Sequence, residues 1–252
     1  MWYCFHLSGE VRDLHALRSI TELADFHCAV DGGLDRALAL GVDPQLWVGD
    51  KDSISSKGIE WMDQHPERLT KLPEKKDLTD SEYAITKVLD EWKKVNEVAT
   101  YPLLLGAPSG MILSSALGSR HDHVLANLAL ARRFASPEFP VLITDGQSLI
   151  WTLKAPFHCE ITWPEMIENN HSKIDRKRYF SLLSASDEVH GIFLEGALWN
   201  LENASLKMGY NLGISNEVAE GKIPRLSFSQ GELHLILSRE SKEESRQWTL
   251  LK

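Results

Sequence analysis

Hydrophobic and polar positions follow two different rhythms along this chain. Up to about residue 150, short apolar runs that close in Gly or Asp are each followed by a stretch with helical spacing. The run FHCAVDGG, from Phe26 to Gly33, predicts a strand ending in a turn, and LDRALALG after it predicts a helix stopped by Gly41. LWVGD predicts a second strand. TDSEYAITKVLDEWKKV predicts a helix: Thr79 and Glu82 have the spacing of a capping box, and Tyr83, Ile85, Val88, Leu89 and Trp92 make an apolar stripe. MILSSAL reads as a strand, RHDHVLANLALARRF as a helix and FPVLITDG as one more strand. Strand, turn and helix in repetition predict a parallel sheet with crossover helices.

After Gln147 the rhythm shifts to period two. SLIWTLKA, YFSLLSAS, HGIFLEGALW and PRLSFSQGELHLILSR are short runs rich in β-branched and aromatic residues, separated by turn residues. SQGE between two such runs predicts a hairpin. The expected architecture is an α/β N-terminal domain with a mostly parallel sheet, residues 1–150, then an all-β sandwich or barrel-like C-terminal domain, residues 151–252. No low-complexity linker and no internal repeat interrupt it.

Composition narrows the functions open to this fold. Hydrophobic content of 43% and charged content of 25% over 252 residues are ordinary for a globular protein. With 27 Lys and Arg against 36 Asp and Glu, the net charge is −9. That argues against nucleic acid as a partner, since polyanion binding needs clustered basic side chains. A small anionic ligand brought with a metal ion remains open. No apolar run approaches the ~20 residues of a membrane span, and MWYCFHLSGEVRD lacks the make-up of a signal peptide. Cys4, Cys28 and Cys159 are odd in number and form no CxxC, which argues against a disulfide framework or a zinc knuckle. A cytoplasmic setting without membrane attachment is the expectation.

The candidate chemistry lies in acids at predicted strand ends. In an open α/β sheet, ligands bind at the carboxyl ends of the strands. Asp31, Asp50 and Asp52 fall at such ends, Asp77 and Asp80 at or before a helix start, and Arg120 and Asp122 after the strand MILSSAL. Taken singly, Asp31 reads equally as a turn former and Thr79-Asp80 equally as a helix cap. His121 and His123 suggest a zinc site, but residues two apart do not share a helix face and no HxxxH partner follows. Several carboxylates without a Cys or His set suit a hard cation such as Mg²⁺, held by one or two carboxylates and substrate phosphates. A cation of this kind would let Asp50 and Asp52 sit side by side despite their repulsion.

These residues also carry a resemblance. DGGLDRALALGVDPQLWVGDKDSI resembles the DGGxxR…LGxxPDxxxGDxDSI signature of thiamine pyrophosphokinases. LPEKKDLTDSEYAI, ALGSRHDHVLANL and ALWNLENASLKMGYNLGISNE are similar to three further elements of that family, in the family's order and spread over both predicted domains. The resemblance implies an α/β domain followed by a β-sandwich. It implies an ATP-dependent diphosphotransferase that uses Mg²⁺ to convert thiamine and ATP into thiamine diphosphate and AMP. Carried over position by position, Asp50, Asp52 and Asp80 would hold Mg²⁺ and the triphosphate, with Asp31 and Asp77 beside them. Arg120 would contact phosphates, and Asp122 would orient it or bind metal. Ser215, Asn216 and Trp199 would meet thiamine; a plain polar turn is the lesser alternative for the first two, and burial in the sandwich is the commoner explanation for such a Trp. A homodimer is implied, its site shared between the α/β domain of one subunit and the β domain of the other.

The chain departs from the family at Lys51, where an apolar residue is usual between the paired acids, and near Ser115, where a glycine is usual. The segment from Thr100 to Gly110 looks inserted, and Thr162 to Phe180 reads as a long polar loop. Two competing functions remain. A non-catalytic thiamine sensor should have lost a metal-ligand acid, and a metal-dependent phosphohydrolase would leave the C-terminal match unexplained. A related ATP-dependent pyrophosphotransferase acting on another alcohol is the alternative reading.

Overall fold

The computed structural model describes residues 1–72, 78–92, 107, 109–162 and 179–238. Asp77, most of the 100–110 insertion and most of the 162–180 loop lie outside the described residues. The chain forms two compact units, Met1–Gly146 and Gln147–Lys252.

In the first unit the strands are β1 (Trp2–His6), β2 (Phe26–Val30), β3 (Leu46–Gly49), β4 (Leu69–Lys71), β5 (Gly110–Ser114) and β6 (Val141–Thr144). The helices are α1 (Leu14–Thr21), α2 (Gly33–Leu40), α3 (Ser56–Gln64), α4 (Asp80–Trp92) and α5 (His121–Phe134). Neighbouring strands run parallel in the order β6-β5-β1-β2-β3-β4. Every residue of β1, β5 and β6 is buried, as expected for central strands covered on both faces. β1 is not expected from the sequence, because WYCFH shows neither period-two alternation nor the aliphatic run that marks the equally buried β5 and β6. The short β4 and the helices α1 and α3 were not predicted either. In α3 only Gly58, Trp61 and Met62 are buried, a stripe too thin to read as amphipathic. Trp61 and Met62 pack on Ala29, Leu34 and Trp47, and each large apolar side chain buried there contributes about 1.5–3 kcal/mol.

Local signals in this unit were read well. Gly41 ends α2 in the left-handed conformation, φ 78°, with its N–H bonded to the last carbonyls. Thr79 Oγ1 accepts the Glu82 N–H at 3.2 Å, the first half of the expected capping box. The Glu82 carboxylate does not return to the cap; it pairs with Arg133 and so ties α4 to α5.

The second unit contains β7 (Leu149–Lys154), β8 (Phe157–Glu160), β9 (Tyr179–Ser184), β10 (Glu188–Glu195), β11 (Leu201–Lys207), β12 (Asn216–Glu217), β13 (Arg225–Phe228) and β14 (Glu232–Ser238). They form two antiparallel arrays, β12-β9-β14-β7 and β11-β10-β13-β8. Alternate burial of Leu233, Leu235 and Leu237 in β14 realises the period-two pattern.

The hairpin expected at SQGE is not one. β13 pairs with β8 and β10, whereas β14 pairs with β7 and β9, so the turn hands the chain from one array to the other. The N–H groups of Ser229 and Gln230 donate to His190 of β10, which draws the turn away from a hairpin closure. Turn chemistry marks where a chain reverses, but the partners available in the sandwich decide what it pairs with. Among the described residues, no helix is long and apolar enough to cross a membrane.

Candidate active site

Reading the first sheet outward from β1, the order proceeds through β2, β3 and β4 on one side and β5 and β6 on the other. The switch point therefore lies between the carboxyl ends of β1 and β5, where an open α/β sheet forms a crevice. A cavity of about 610 Å³ lies at this end of the sheet. Its walls include Ser8 and Glu10 after β1, Asp31 after β2, Thr79 and Asp80 at the start of α4, and the loop Ser115–Arg120 leading into α5.

The acids are positioned by backbone. Asp31 adopts φ 48° directly after β2, and its carbonyl accepts the Trp47 indole N–H at 3.1 Å. Its carboxylate turns toward β3, where Oδ1 accepts the Asp50 N–H at 3.3 Å. Asp50 Oδ1 in turn accepts the Asp52 N–H at 3.3 Å. Three acids are thus joined in a chain, the carboxylates of Asp31 and Asp50 each held by the backbone N–H of the next. Gly49 makes this possible, because a Cβ there would collide with Asp31 Oδ1. Between the two acids that follow β3, Lys51 takes the left-handed conformation at φ 80°. Ser53 Oγ closes the arrangement by accepting the Gly32 N–H at 3.2 Å.

The basic side enters from α5. Arg120 is the N-terminal flanking residue of that helix and makes no side-chain capping bond. Its guanidinium forms a two-pronged ion pair with Asp122, Nε to Oδ1 at 3.0 Å and Nη2 to Oδ2 at 2.7 Å. Hydrogen bonding from Arg120 holds the Asp122 carboxyl well below the usual carboxylate range, so the pair stays charged. The loop before it rests on Asn127, a buried α5 side chain whose Nδ2 donates to the Ala116 carbonyl at 2.9 Å. Ser119 is pinned from the other side, its N–H donating to Glu10 Oε1 at 2.9 Å.

Of the residues singled out from the sequence, Asp31, Asp80 and Arg120 line one cavity. Asp122 is joined to it through Arg120, and Asp50 and Asp52 through the hydrogen-bond chain from Asp31; neither of the latter two is part of the cavity wall. Asp77 lies outside the described residues. In the second unit, Asn216 is buried and its amide is engaged with Trp199: Nδ2 donates to the Trp199 carbonyl at 2.7 Å and Oδ1 accepts the Trp199 N–H at 3.2 Å. Asn216 thus shapes the turn that presents Trp199. That side chain is 58% exposed, against the expectation of a core tryptophan. Ser215 is exposed at φ 58°, and its N–H donates to Ser181 Oγ at 3.0 Å.

An oxygen-rich acid chain, an arginine fork and a crevice at the switch point have the chemistry that binding a polyphosphate requires. Residues 17–143 match the model of the thiamin pyrophosphokinase catalytic domain, and residues 167–233 that of the thiamin pyrophosphokinase vitamin B1 binding domain. The chain belongs to the thiamin pyrophosphokinase family. It is similar to the thiamine pyrophosphokinase of Bacillus subtilis, 26% identical over 209 residues that cover 83% of this chain and 85% of the relative. The crystal structure of a thiamine pyrophosphokinase from the same organism matches with a TM-score of 0.74 at 23% identity, covering 96% of this chain and all of that one. One from Geobacillus thermodenitrificans matches with 0.72 at 25% identity, over 96% and 99% of the two chains.

Against the family pattern, the two departures fall on backbone that favours glycine. Lys51 and Ser115 both have positive φ, 80° and 52°. Ser115 is fully buried, its Oγ has no hydrogen-bond partner, and the residue lines the cavity. Sequence reasoning missed Glu10, Arg36, Ser115 and Asn127. The signal was present for two of them: Arg36 closes the DGGxxR element, and Asn127 closes the element that holds Arg120 and Asp122. Glu10 carried none, because only folding brings it across 109 positions to Ser119.

Proposed function

We propose that the switch-point cavity is where this thiamine pyrophosphokinase family member binds ATP, and that the pyrophosphoryl group passes from there to the hydroxyl of thiamine, giving thiamine diphosphate and AMP. The observation that carries the reading is the meeting of Asp31, Asp80 and Arg120 in one cavity beside the α5 N-terminus. Unsatisfied N–H groups at a helix start attract phosphate. Asp122 occupies two donors of Arg120 and leaves the rest of the fork for phosphate oxygens. Holding that fork in place before substrate arrives reduces the entropy lost on binding.

The donor set fits Mg²⁺. Asp31, Asp50 and Asp52 offer only oxygen, and Mg²⁺ needs just one or two carboxylates because phosphates and water complete its shell. Asp50, Asp52 and Asp80 would hold the ion, with Asp31 supporting Asp50 through its N–H. When bound, the ion neutralises charge on the transferring phosphates. Asp80, partly buried at the first turn of α4, also favours the helix dipole there.

Thiamine would be met by the second unit, with the exposed Trp199 indole offering a stacking face and Ser215 an accessible hydroxyl. Leu198, Tyr210, Leu212 and Ile214 are exposed in the same unit, and covering such side chains with a second copy would favour a homodimer. The three buried thiols suit a reducing cytoplasm.

The test is product analysis by ³¹P NMR with purified protein, ATP, Mg²⁺ and thiamine, alongside Asp52→Asn. Equal amounts of AMP and thiamine diphosphate, absent in the variant, are expected. ADP and free phosphate formed regardless of thiamine would make the protein a phosphohydrolase and end this reading.

A further inference from the structure

Away from the phosphate cavity, β1 and β2 bring together a second set of donors of a different chemical kind. Cys4 and His6 are two apart on β1 and so point to one face of the sheet. The parallel register sets His27 of β2 directly opposite Cys4, on that same face. One donor atom from each of Cys4, His6 and His27 lies within 4.8 Å of the others, and among the described residues no other set of three Cys, His, Asp or Glu donors converges in this way. The two imidazoles stack with centroids 5.4 Å apart, and His6 Nε2 stands 3.1 Å from His27 Nδ1.

The hydrogen bonds of this cluster leave one group unexplained. A hydrogen bond with the Ala24 backbone also supports the His27 ring. His6 Nδ1 is wholly buried and has no hydrogen-bond partner. A buried polar atom of this kind is rare and calls for an explanation, an unseen ion among the recognised ones.

We infer that Cys4, His6 and His27 form a binding site for a late first-row divalent cation of the Zn²⁺ type. The softness of the set decides the class: one sulfur and two imidazoles select Zn²⁺ over Mg²⁺, which prefers oxygen. Donors around a tetrahedral Zn²⁺ stand about 3.3–3.6 Å apart, from bond lengths of roughly 2.0–2.3 Å. The donor atoms, all within 4.8 Å of one another, close to that spacing by movements of at most about 1.5 Å. The Ala24 carbonyl supplies the outer hydrogen bond that orients a ligating histidine. Binding displaces the Cys4 thiol proton to solvent. His6 coordinates through its unpartnered Nδ1 with the ring proton on Nε2, so one proton, that of the thiol, is released per ion. Half-buried His27 is the side from which the ion enters and where a water completes the shell. Because Leu7 and Ser8 follow His6 into the cavity wall, the ion clamps β1 to β2 beneath the proposed ATP site. The site is independent of the phosphate-transfer reading.

The test uses full-length protein stripped of metal, with Mg²⁺ present to occupy the carboxylates, titrated with Co²⁺ and then Zn²⁺. Wild-type protein should show a thiolate-to-cobalt charge-transfer band that saturates at one equivalent and is lost when Zn²⁺ displaces the probe. Cys4→Ser should lose the band, and His27→Gln should weaken binding at least about 10-fold. The thermal midpoint should rise with Zn²⁺ in the wild type and by a smaller amount in each variant. No charge-transfer band in folded wild-type protein, or a midpoint rise of equal size in all three proteins, overturns the inference. Should circular dichroism show Cys4→Ser misfolded, half-buried His27→Gln carries the test.

Discussion

Replacing Asn127 by leucine removes one hydrogen bond and asks how far the loop before Arg120 depends on it. The side chain is 7% exposed and donates to the Ala116 carbonyl at 2.9 Å, in a residue that is itself 3% exposed. Leucine keeps most of the volume, so little of the effect is a cavity. The loss is that of a buried acceptor without a partner, about 1–3 kcal/mol. Taking ~2 kcal/mol and the 146 residues of the first unit, the thermal midpoint should fall by about 4–8 °C. Function should fall too, because Ser115 and Leu117 on either side of Ala116 both line the cavity. Loss of positioning by a fraction of an ångström or more should lower kcat/KM by roughly 10- to 100-fold, mostly through KM for ATP. Thermal melts followed by circular dichroism, with initial rates of AMP formation over a range of ATP, measure both. A midpoint within about 1 °C of wild type would refute the energetic argument. A stability loss with unchanged KM would show that the loop does not need Asn127 to shape the site.

Three further predictions follow from named contacts. Lys51→Gly releases a lysine held at φ 80°; the relief of about 1–2 kcal/mol exceeds the added chain entropy, so urea denaturation should show a gain of about 0.5–1 kcal/mol, and a loss would mean that the lysine side chain makes contacts worth more than the strain. Asp35 receives the Ser55 hydroxyl at 2.5 Å and N–H at 2.9 Å at the start of α3; a double-mutant cycle of Asp35→Ala and Ser55→Ala should give a coupling of about 1 kcal/mol, and additive effects would show that the contact contributes nothing. Burial pushes the Cys159 thiol up to about 12, so in native protein at neutral pH peptide mapping should find it unmodified by iodoacetamide until denaturant is added; rapid labelling would contradict that burial.

Elements whose signal is local were legible. Helices α2, α4 and α5 carry apolar stripes and end signals within a few residues, and β14 is half-buried, so its alternation is visible in the string. β1 could not be seen, because WYCFH mixes aromatic residues with Cys and His and lacks both alternation and the aliphatic run that marks the equally buried β5 and β6. The SQGE turn was legible as a turn and not as a crossing between arrays, since pairing partners are chosen by the rest of the sandwich.

The same division holds for the site. Sequence alone determined which acids stand at strand ends, that the donor set is oxygen and not sulfur, and the family to which those motifs point. Residue type and spacing along the chain are enough for that. Only the tertiary structure decided that the cavity lies between β1 and β5, that Asp50 and Asp52 reach it through Asp31, and that Glu10 and Asn127 hold its loop from opposite sides. It also set Cys4 and His6 beside His27, more than 20 positions away, a grouping that no linear spacing rule could propose. The physical reason is register: a parallel sheet places residues together by the length of its crossovers, and that length leaves no mark on the residues it aligns.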